Sequence, residues 1–562
     1  MTINTTTPRL DDLLADAARR HPERPALVGQ GDSWTYAELE QAVCALAAEL
    51  TASGLRPGQR VGVYAPKTPA TVIALYAALR AGAVVAPLDV ADPPLRTGRM
   101  LRNAGISLLL TTERFRTAAR RAAAEARSAV SEGLGSASEG LGSASEALGS
   151  ASGGDQHPHG ERDFDHGLVA LEVLSPAEQP ATLPAPVDRG GYILFTSGST
   201  GWPKGVLLSH ENVAHYALWA AAEFELTPVD RIGSQAALTF DLTTFDLYSA
   251  AAAGACVVLL PDMLRSFPRD VVTWLNEQRI TAFMAVPSLY HNLLQQGGIA
   301  DALPPTLRIA AFGGEPFAPH LLEQYLHLLG DRPFYNLYGP TETNACTYYR
   351  MPRNWTADQE LTIGRGIGGV HIEVLDDDGR PTDGEGEIHI AGPTVFQGYL
   401  RDGRLTDPTV RVPFRDGVVR RAYASGDLGR ITADGRVFLR GRRDFQVKRR
   451  GHRIDLLDIE SAALDLPQVA TAAAVARAGD HAGEIWVYAQ TTATERELLA
   501  ELRAALPPRM LPDRIVPVPS LPLTISGKVD RRALSEGVPA VPLPPAAPAA
   551  TTPLNTLQEN PA

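Results

Sequence analysis

Ten residues, Thr196-Ser-Gly-Ser-Thr-Gly-Trp-Pro-Lys-Gly205, set three glycines, four hydroxyl side chains and one lysine directly after the apolar run Tyr192-Ile-Leu-Phe195. Glycine lets backbone N–H groups come close to phosphate oxygens, hydroxyls add donors and lysine adds charge, so the stretch can wrap a polyphosphate. It does not follow the G-x-x-x-x-G-K-[ST] pattern of a P-loop, because Lys204 follows Pro203 and precedes Gly205. Read alone, it fits a Ser/Gly-rich turn equally well. A second cluster, Gly364-Arg-Gly-Ile-Gly-Gly369, satisfies G-x-G-x-x-G, but the residues after it alternate like a strand where a dinucleotide motif needs a helix. It reads as a turn.

The elements that must carry such a loop are legible in outline. Apolar, β-rich runs at 191–195, 256–260 and 282–286 alternate with helical patterns such as Pro319-His-Leu-Leu-Glu-Gln-Tyr-Leu-His-Leu-Leu329, which predicts an α/β fold of layered, mostly parallel sheets and helices. After Gly384 the texture changes to turns and short strands, and a smaller α+β unit is expected from about residue 444, with the helix 456–466. The expected division is a large N-terminal domain over 1–443, a small mobile domain over 444–535, and a disordered Pro/Ala-rich tail over 536–562. Residues 131–151 repeat SEGLGSA-like heptads; one leucine per seven residues makes no coiled-coil seam, so 128–166 is expected to be a flexible insertion.

Composition narrows the function classes. With 44% hydrophobic and 21% charged residues the chain is an ordinary globular protein, and its net charge of −12 argues against a general affinity for nucleic acid or anionic membranes. The three cysteines lack C-x-x-C spacing and suit a reducing compartment. Two early aspartates and no apolar stretch of signal-peptide length at the N-terminus, with apolar runs 69–79 and 247–260 too short to cross a bilayer, predict a cytoplasmic protein without a membrane span.

Further blocks follow the 196–205 loop in order: Phe240-Asp241-Leu-Thr-Thr-Phe-Asp246, Gly313-Gly-Glu315, Asn336-Leu-Tyr-Gly-Pro-Thr-Glu-Thr343, Tyr423-Ala-Ser-Gly-Asp427, Gly441-Arg-Arg-Asp-Phe-Gln-Val-Lys448 with Gly451-His-Arg-Ile454, and Pro522-Leu-Thr-Ile-Ser-Gly-Lys528. Together with Trp34-Thr-Tyr-Ala-Glu-Leu39 and residues 79–89, their order and spacing resemble the adenylate-forming superfamily, and within it the stand-alone amino-acid adenylation domains of nonribosomal peptide synthesis. The resemblance covers about residues 10–535. It implies ATP and Mg²⁺ as cofactors and a catalytic set of Lys528, Thr196, Lys204 and Glu342. Thr196, Ser197, Gly198 and Thr200 would meet the phosphates, Lys204 the leaving pyrophosphate, and Glu342 would hold Mg²⁺. Gly314, Glu315, Tyr338, Gly339 and Thr341 would surround the nucleotide, Asp427 would accept the ribose hydroxyls, and Arg442 would lie beside them. Asp444 would be the hinge, and Gly451 with Lys448 would serve the thiolation state. Two departures, Leu457 and Asp458 before Ile459-Glu460 and Ser425 for the usual threonine, remove no catalytic group.

The same resemblance places Asp241 against the substrate's α-ammonium, which argues for an amino acid over the alternative, an acyl-CoA or aryl-acid ligase; intact site residues argue against an inactive nucleotide-binding module. Leu242, Phe245, Met284, Ala310, Phe312, Leu337, Ala345 and Cys346 would line an uncharged pocket. The bulk of Phe245, Met284 and Phe312 predicts a small neutral residue such as alanine, glycine or 2-aminobutyrate, with proline also admitted. Only 34 residues follow Lys528, too few for a carrier domain, so a separate carrier protein with a phosphopantetheine arm is the expected partner, met by the basic cluster around Arg440–Arg453.

Overall fold

The structure is a computed structural model, and it describes residues 7–92, 94–135, 162–164, 167–173, 187, 190–196, 203–442, 446–449, 452–477, 484–506, 510–524 and 528–536. The later repeats, the tail beyond residue 536, and the expected site positions Ser197, Gly198, Thr200, Asp444 and Gly451 lie outside the described residues. Two compact units emerge: Met1–Asp444 with Ile525–Lys528, and Phe445–Thr524 with Val529–Ala562.

In the large unit one nine-stranded sheet runs, from edge to edge, through Arg365–Gly366, Thr347–Arg350, Phe334–Tyr338, Ile309–Gly313, Ala282–Ala285, Arg231–Ser234, Cys256–Leu259, Pro25–Gly29 and Asp32–Thr35. Its centre is parallel, as the alternating β and α patterns require. A second nine-stranded sheet has Val84–Leu88, Arg60–Tyr64 and Leu108–Thr112 in parallel, with Gly191–Thr196 parallel to the first of them. Its flanks are antiparallel, a departure from the mostly parallel expectation. At one flank the chain between Thr196 and Lys204 is too short for a crossover, so those two strands pair antiparallel. A five-stranded antiparallel sheet follows, built on the long strand Val419–Ile431. The main core joins both large sheets, with Val61 and Leu194 from one, Leu27, Val257 and Met284 from the other, and the buried helix Pro69–Arg80.

The helix Arg116–Gly135 runs into the stretch expected to be a loose insertion, and Arg162–Phe164 at its far end pairs with Leu168–Glu172. Alanine, arginine and glutamate between residues 116 and 132 are strong helix formers that carry the helix into the first repeat, through Gly133 and Gly135.

The small unit is α+β. Val469–Ala476, Ile485–Thr491 and Arg514–Val518 form a sheet over a core of Ala473, Val475, Tyr488, Val518, Leu521 and Leu534. The helix Leu456–Leu464 carries Glu460, which is buried and accepts the Ala474 amide at 2.7 Å and the Arg531 guanidinium at 2.6 Å. Arg531→Ala strands that carboxylate, so we expect a loss of about 3 kcal/mol confined to this unit. Hydrogen exchange should then quicken at Ala474 and its strand neighbours and stay unchanged in the large unit.

Candidate active site

The strands Gly191–Thr196 and Lys204–Ser209 pair antiparallel with Thr196 directly opposite Lys204, so these two residues face each other. The Thr196 hydroxyl is buried without a hydrogen-bond partner among the described residues, a donor left for a ligand oxygen. Lys204 reaches to 3.9 Å from Glu342 Oε1, and its ammonium lies 3.6 Å from the centroid of the Tyr399 ring. Glu342 sits in the single turn Thr341–Thr343 just after the strand Phe334–Tyr338 and is buried. Its Oε1 accepts the Tyr399 hydroxyl at 2.6 Å, and that hydroxyl lies 3.1 Å from the Tyr423 hydroxyl. Neither tyrosine was singled out by sequence, although Tyr423 opens the block that ends in Asp427.

Asp427 lies on the strand Val419–Ile431, buried, and accepts the Tyr338 hydroxyl at 2.5 Å on Oδ2. Ser425 fixes the approach: its hydroxyl donates to the Ile388 carbonyl at 2.7 Å and accepts the Asp427 amide at 3.0 Å. Serine thus performs the turn's bonding that threonine would. Arg442 pairs across the ladder with Asp427, which puts its backbone beside that of Asp427. Gly314 adopts φ +85° after the strand Ile309–Gly313, and Glu315 accepts the Ser288 amide at 3.1 Å. Gly339 is required sterically, since a Cβ there would stand 1.5 Å from the Asn344 carbonyl oxygen. Asn344 itself has φ +53°.

Asp241 precedes a short helix, Leu242–Thr244, that widens into a π-turn over Phe245–Ser249. Thr341 donates its hydroxyl to Asp241 Oδ2 at 2.8 Å. The hydroxyl expected at the nucleotide therefore holds the carboxylate expected at the ammonium. Burial raises the Asp241 carboxyl above the ordinary aspartate range, opposed by the charge of Lys528 and by the Thr341 bond. Lys528 groups with the large unit, its ammonium 5.9 Å from the Phe240 ring centroid.

Phe245, Met284, Leu337 and Cys346 are all buried in the main core of the large unit, with Leu242 and Ala345 packed against that core. Burial pushes the Cys346 thiol up to about 12, so it is a packing group and not a nucleophile. Ala310 and Phe312 do not join them. The ladder aligns Met284 with Ala311 and Phe312 with Ala285, and side chains alternate along a strand, so Ala310 and Phe312 face the opposite side of the sheet. There the Phe312 ring lies 4.9 Å from both Phe317 and Phe334. This corrects the expected lining: Ala311 and Gly313 stand on the Met284 side, and Phe312 takes no room from it. Arg440 is likewise no spare member of a basic patch, being paired with Glu360 at 2.8 Å and Glu385 at 3.2 Å. Lys448 lies on the strand Gln446–Arg449 of the small unit.

Among the described residues no helix is long and apolar enough to cross a membrane, and no three acidic, His or Cys side chains gather as a metal cage. A single carboxylate such as Glu342 suits Mg²⁺, which takes one or two carboxylates and completes its shell with phosphate oxygens and water.

Residues 14–400 match the AMP-binding enzyme model and 458–528 its C-terminal domain. An L-proline--[L-prolyl-carrier protein] ligase of Streptomyces coelicolor is 34% identical over 97% of this chain and 99% of its own length. One of Pseudomonas fluorescens is 31% identical over 94% and 99%. A four-domain nonribosomal peptide synthetase, solved with AMP and glycine, superposes with a TM-score of 0.71 at 25% identity, covering 94% of this chain and 36% of that one. The chain belongs to the AMP-binding enzyme family, the adenylate-forming ligases, and carries both of its domains.

Proposed function

We propose that the protein activates a neutral, apolar α-amino acid as its aminoacyl-adenylate and passes it to the phosphopantetheine thiol of a separate carrier protein, with proline the leading substrate. The observation that carries this reading is Asp241. A carboxylate held by Thr341 and followed directly by Leu242 and Phe245, which pack on or in the apolar core, suits a substrate that brings a cation and an apolar side chain together. The outward turn of Phe312 relaxes the bias toward the smallest residues, and the names of two relatives favour proline.

In the first half-reaction a carboxylate oxygen of the amino acid attacks the α-phosphorus of ATP, the bond to the bridging oxygen breaks, and pyrophosphate leaves. No protein nucleophile is needed; the task is to orient anions and to neutralise charge as it develops. Asp427, held by Tyr338, would take the ribose, and Thr196 and Lys204 the phosphates. Lys528 would meet the substrate carboxylate and the bridging oxygen. Glu342 would hold Mg²⁺, which when bound neutralises phosphate charge. In the second half-reaction the carrier thiol attacks the acyl carbon and AMP departs. Asp444 as hinge, and Gly451 with Lys448 beside the incoming thiol, belong to this proposal, as does a cytoplasmic site of action.

Carrier loading tests the whole reading. With ATP, Mg²⁺ and proline, a holo-carrier protein from a proline-activating system should gain one prolyl group by intact mass, and the apo-carrier none. Equal acylation of free coenzyme A by simple acids would instead identify an acyl-CoA ligase.

A further inference from the structure

Tyr399 touches two assigned groups at once, with different parts of one side chain. It lies on the strand Gly398–Arg401, which pairs antiparallel with Lys204–Ser209 so that Tyr399 stands opposite Val206. Lys204 and Val206 share a face, which makes Tyr399 the diagonal neighbour of Lys204. The pairing is close because Gly205 has no side chain: a Cβ there would stand 3.2 Å from Leu400 Cβ. The flat ring thus comes under the lysine, with the ammonium 3.6 Å from its centroid, while the hydroxyl extends past it to Glu342 Oε1 at 2.6 Å. Phe396 holds the ring from another side, edge-on at 4.9 Å, and also packs on Tyr423, whose hydroxyl is 3.1 Å from that of Tyr399.

This geometry solves a particular problem. Lys204 and Glu342 form a loose ion pair at 3.9 Å, and without a third group they would tend to close to hydrogen-bond distance and neutralise the charge each needs for its ligand. A face-on ring satisfies the ammonium without consuming a carboxylate, and a phenol donor occupies Glu342 Oε1 without adding charge. We infer that Tyr399 is a positioning residue that holds Lys204 and Glu342 apart, its ring orienting the lysine for the pyrophosphate and its hydroxyl orienting the carboxylate for the metal ion. The inference rests on the roles proposed above for those two residues.

The two halves of the side chain can be separated. Tyr399→Phe keeps the ring and removes only the hydroxyl, whereas Tyr399→Leu removes both. Mn²⁺ binding to the enzyme–ATP complex, read by electron paramagnetic resonance, reports the carboxylate; inhibition of adenylation by added pyrophosphate reports the lysine. Tyr399→Phe should weaken Mn²⁺ binding by about 10-fold, the scale of losing a group that orients a metal ligand, and leave the pyrophosphate constant within about twofold. Tyr399→Leu should weaken both, pyrophosphate by about fivefold, as expected for a lost cation–π contact. Glu342→Gln serves as the reference. If it weakens Mn²⁺ binding and Tyr399→Phe does not, the positioning role is overturned while the metal assignment stands. If neither does, the assignment of Glu342 to the metal fails first. Should Tyr399→Leu melt early, Tyr399→Phe alone decides, because it conserves the packing against Phe396.

Discussion

Lys528→Ala is expected to lower ATP–pyrophosphate exchange by about 100- to 1,000-fold while ATP still binds, the scale of losing a group that stabilises charge mainly in the transition state. The lysine ends a short segment that groups with the large unit, and its charge acts on Asp241. Its proposed partners, the substrate carboxylate and the bridging oxygen, are most anionic as the bond to pyrophosphate breaks. The proposed nucleotide contacts are other groups, Asp427 held by Tyr338 among them. Preformed aminoacyl-adenylate should therefore still be transferred to a carrier thiol by the variant. Exchange near the wild-type rate would remove Lys528 from the reaction.

The second large effect belongs to Asp241. Asp241→Asn preserves shape and can still accept the Thr341 hydroxyl, but it sets a neutral amide against the substrate ammonium, at a cost of about 2–5 kcal/mol in amino-acid binding. Amino-acid KM should rise steeply and ATP KM should hardly move. The pH dependence has a definite sign. Burial raises this carboxyl above the ordinary aspartate range, so kcat/KM for the amino acid should fall with acidification already at a pH where a solvated aspartate would still be ionised, and that acid limb should vanish in the variant. For stability the sign is opposite. The folded state holds this proton more tightly than the unfolded one, so the group favours the fold at acid pH and that contribution is lost as pH rises through the raised pKa. At neutral pH Asp241→Asn should melt no earlier than the wild type. An unchanged amino-acid KM would exclude the ammonium contact.

Much of this was legible in the sequence because short-range chemistry wrote it there. The apolar run before Thr196 is a strand, and residues 319–329 form the helix Pro319–Leu329. In the cluster at 364–369 the first residues are extended, with Arg365–Gly366 a short strand, and only residues 368–369 turn, ahead of the strand His371–Leu375. What escaped depended on register and on pairs distant in sequence. Whether Phe312 or Ala311 faces Met284 is decided by which residue aligns across the ladder, and one position of offset exchanges the two sides of the sheet. Tyr399 meets Lys204 across 195 residues of chain only because their strands pair. Thr341 carries a hydroxyl suited to phosphate, and only the fold sets it on Asp241. The helix Arg116–Gly135 enters the stretch expected to be a flexible insertion because its composition favours helix more strongly than the glycines of the first repeat oppose it.

The central claim is that the substrate is an amino acid recognised through its ammonium and activated on ATP. A competition in ATP–pyrophosphate exchange tests it most directly: proline, alanine, glycine and 2-aminobutyrate against propionate and benzoate, each at the same concentration with wild-type protein, ATP and Mg²⁺. Exchange is expected with the amino acids, strongest with proline, and background rates with the two acids that lack an ammonium. Preference for propionate or benzoate would contradict it.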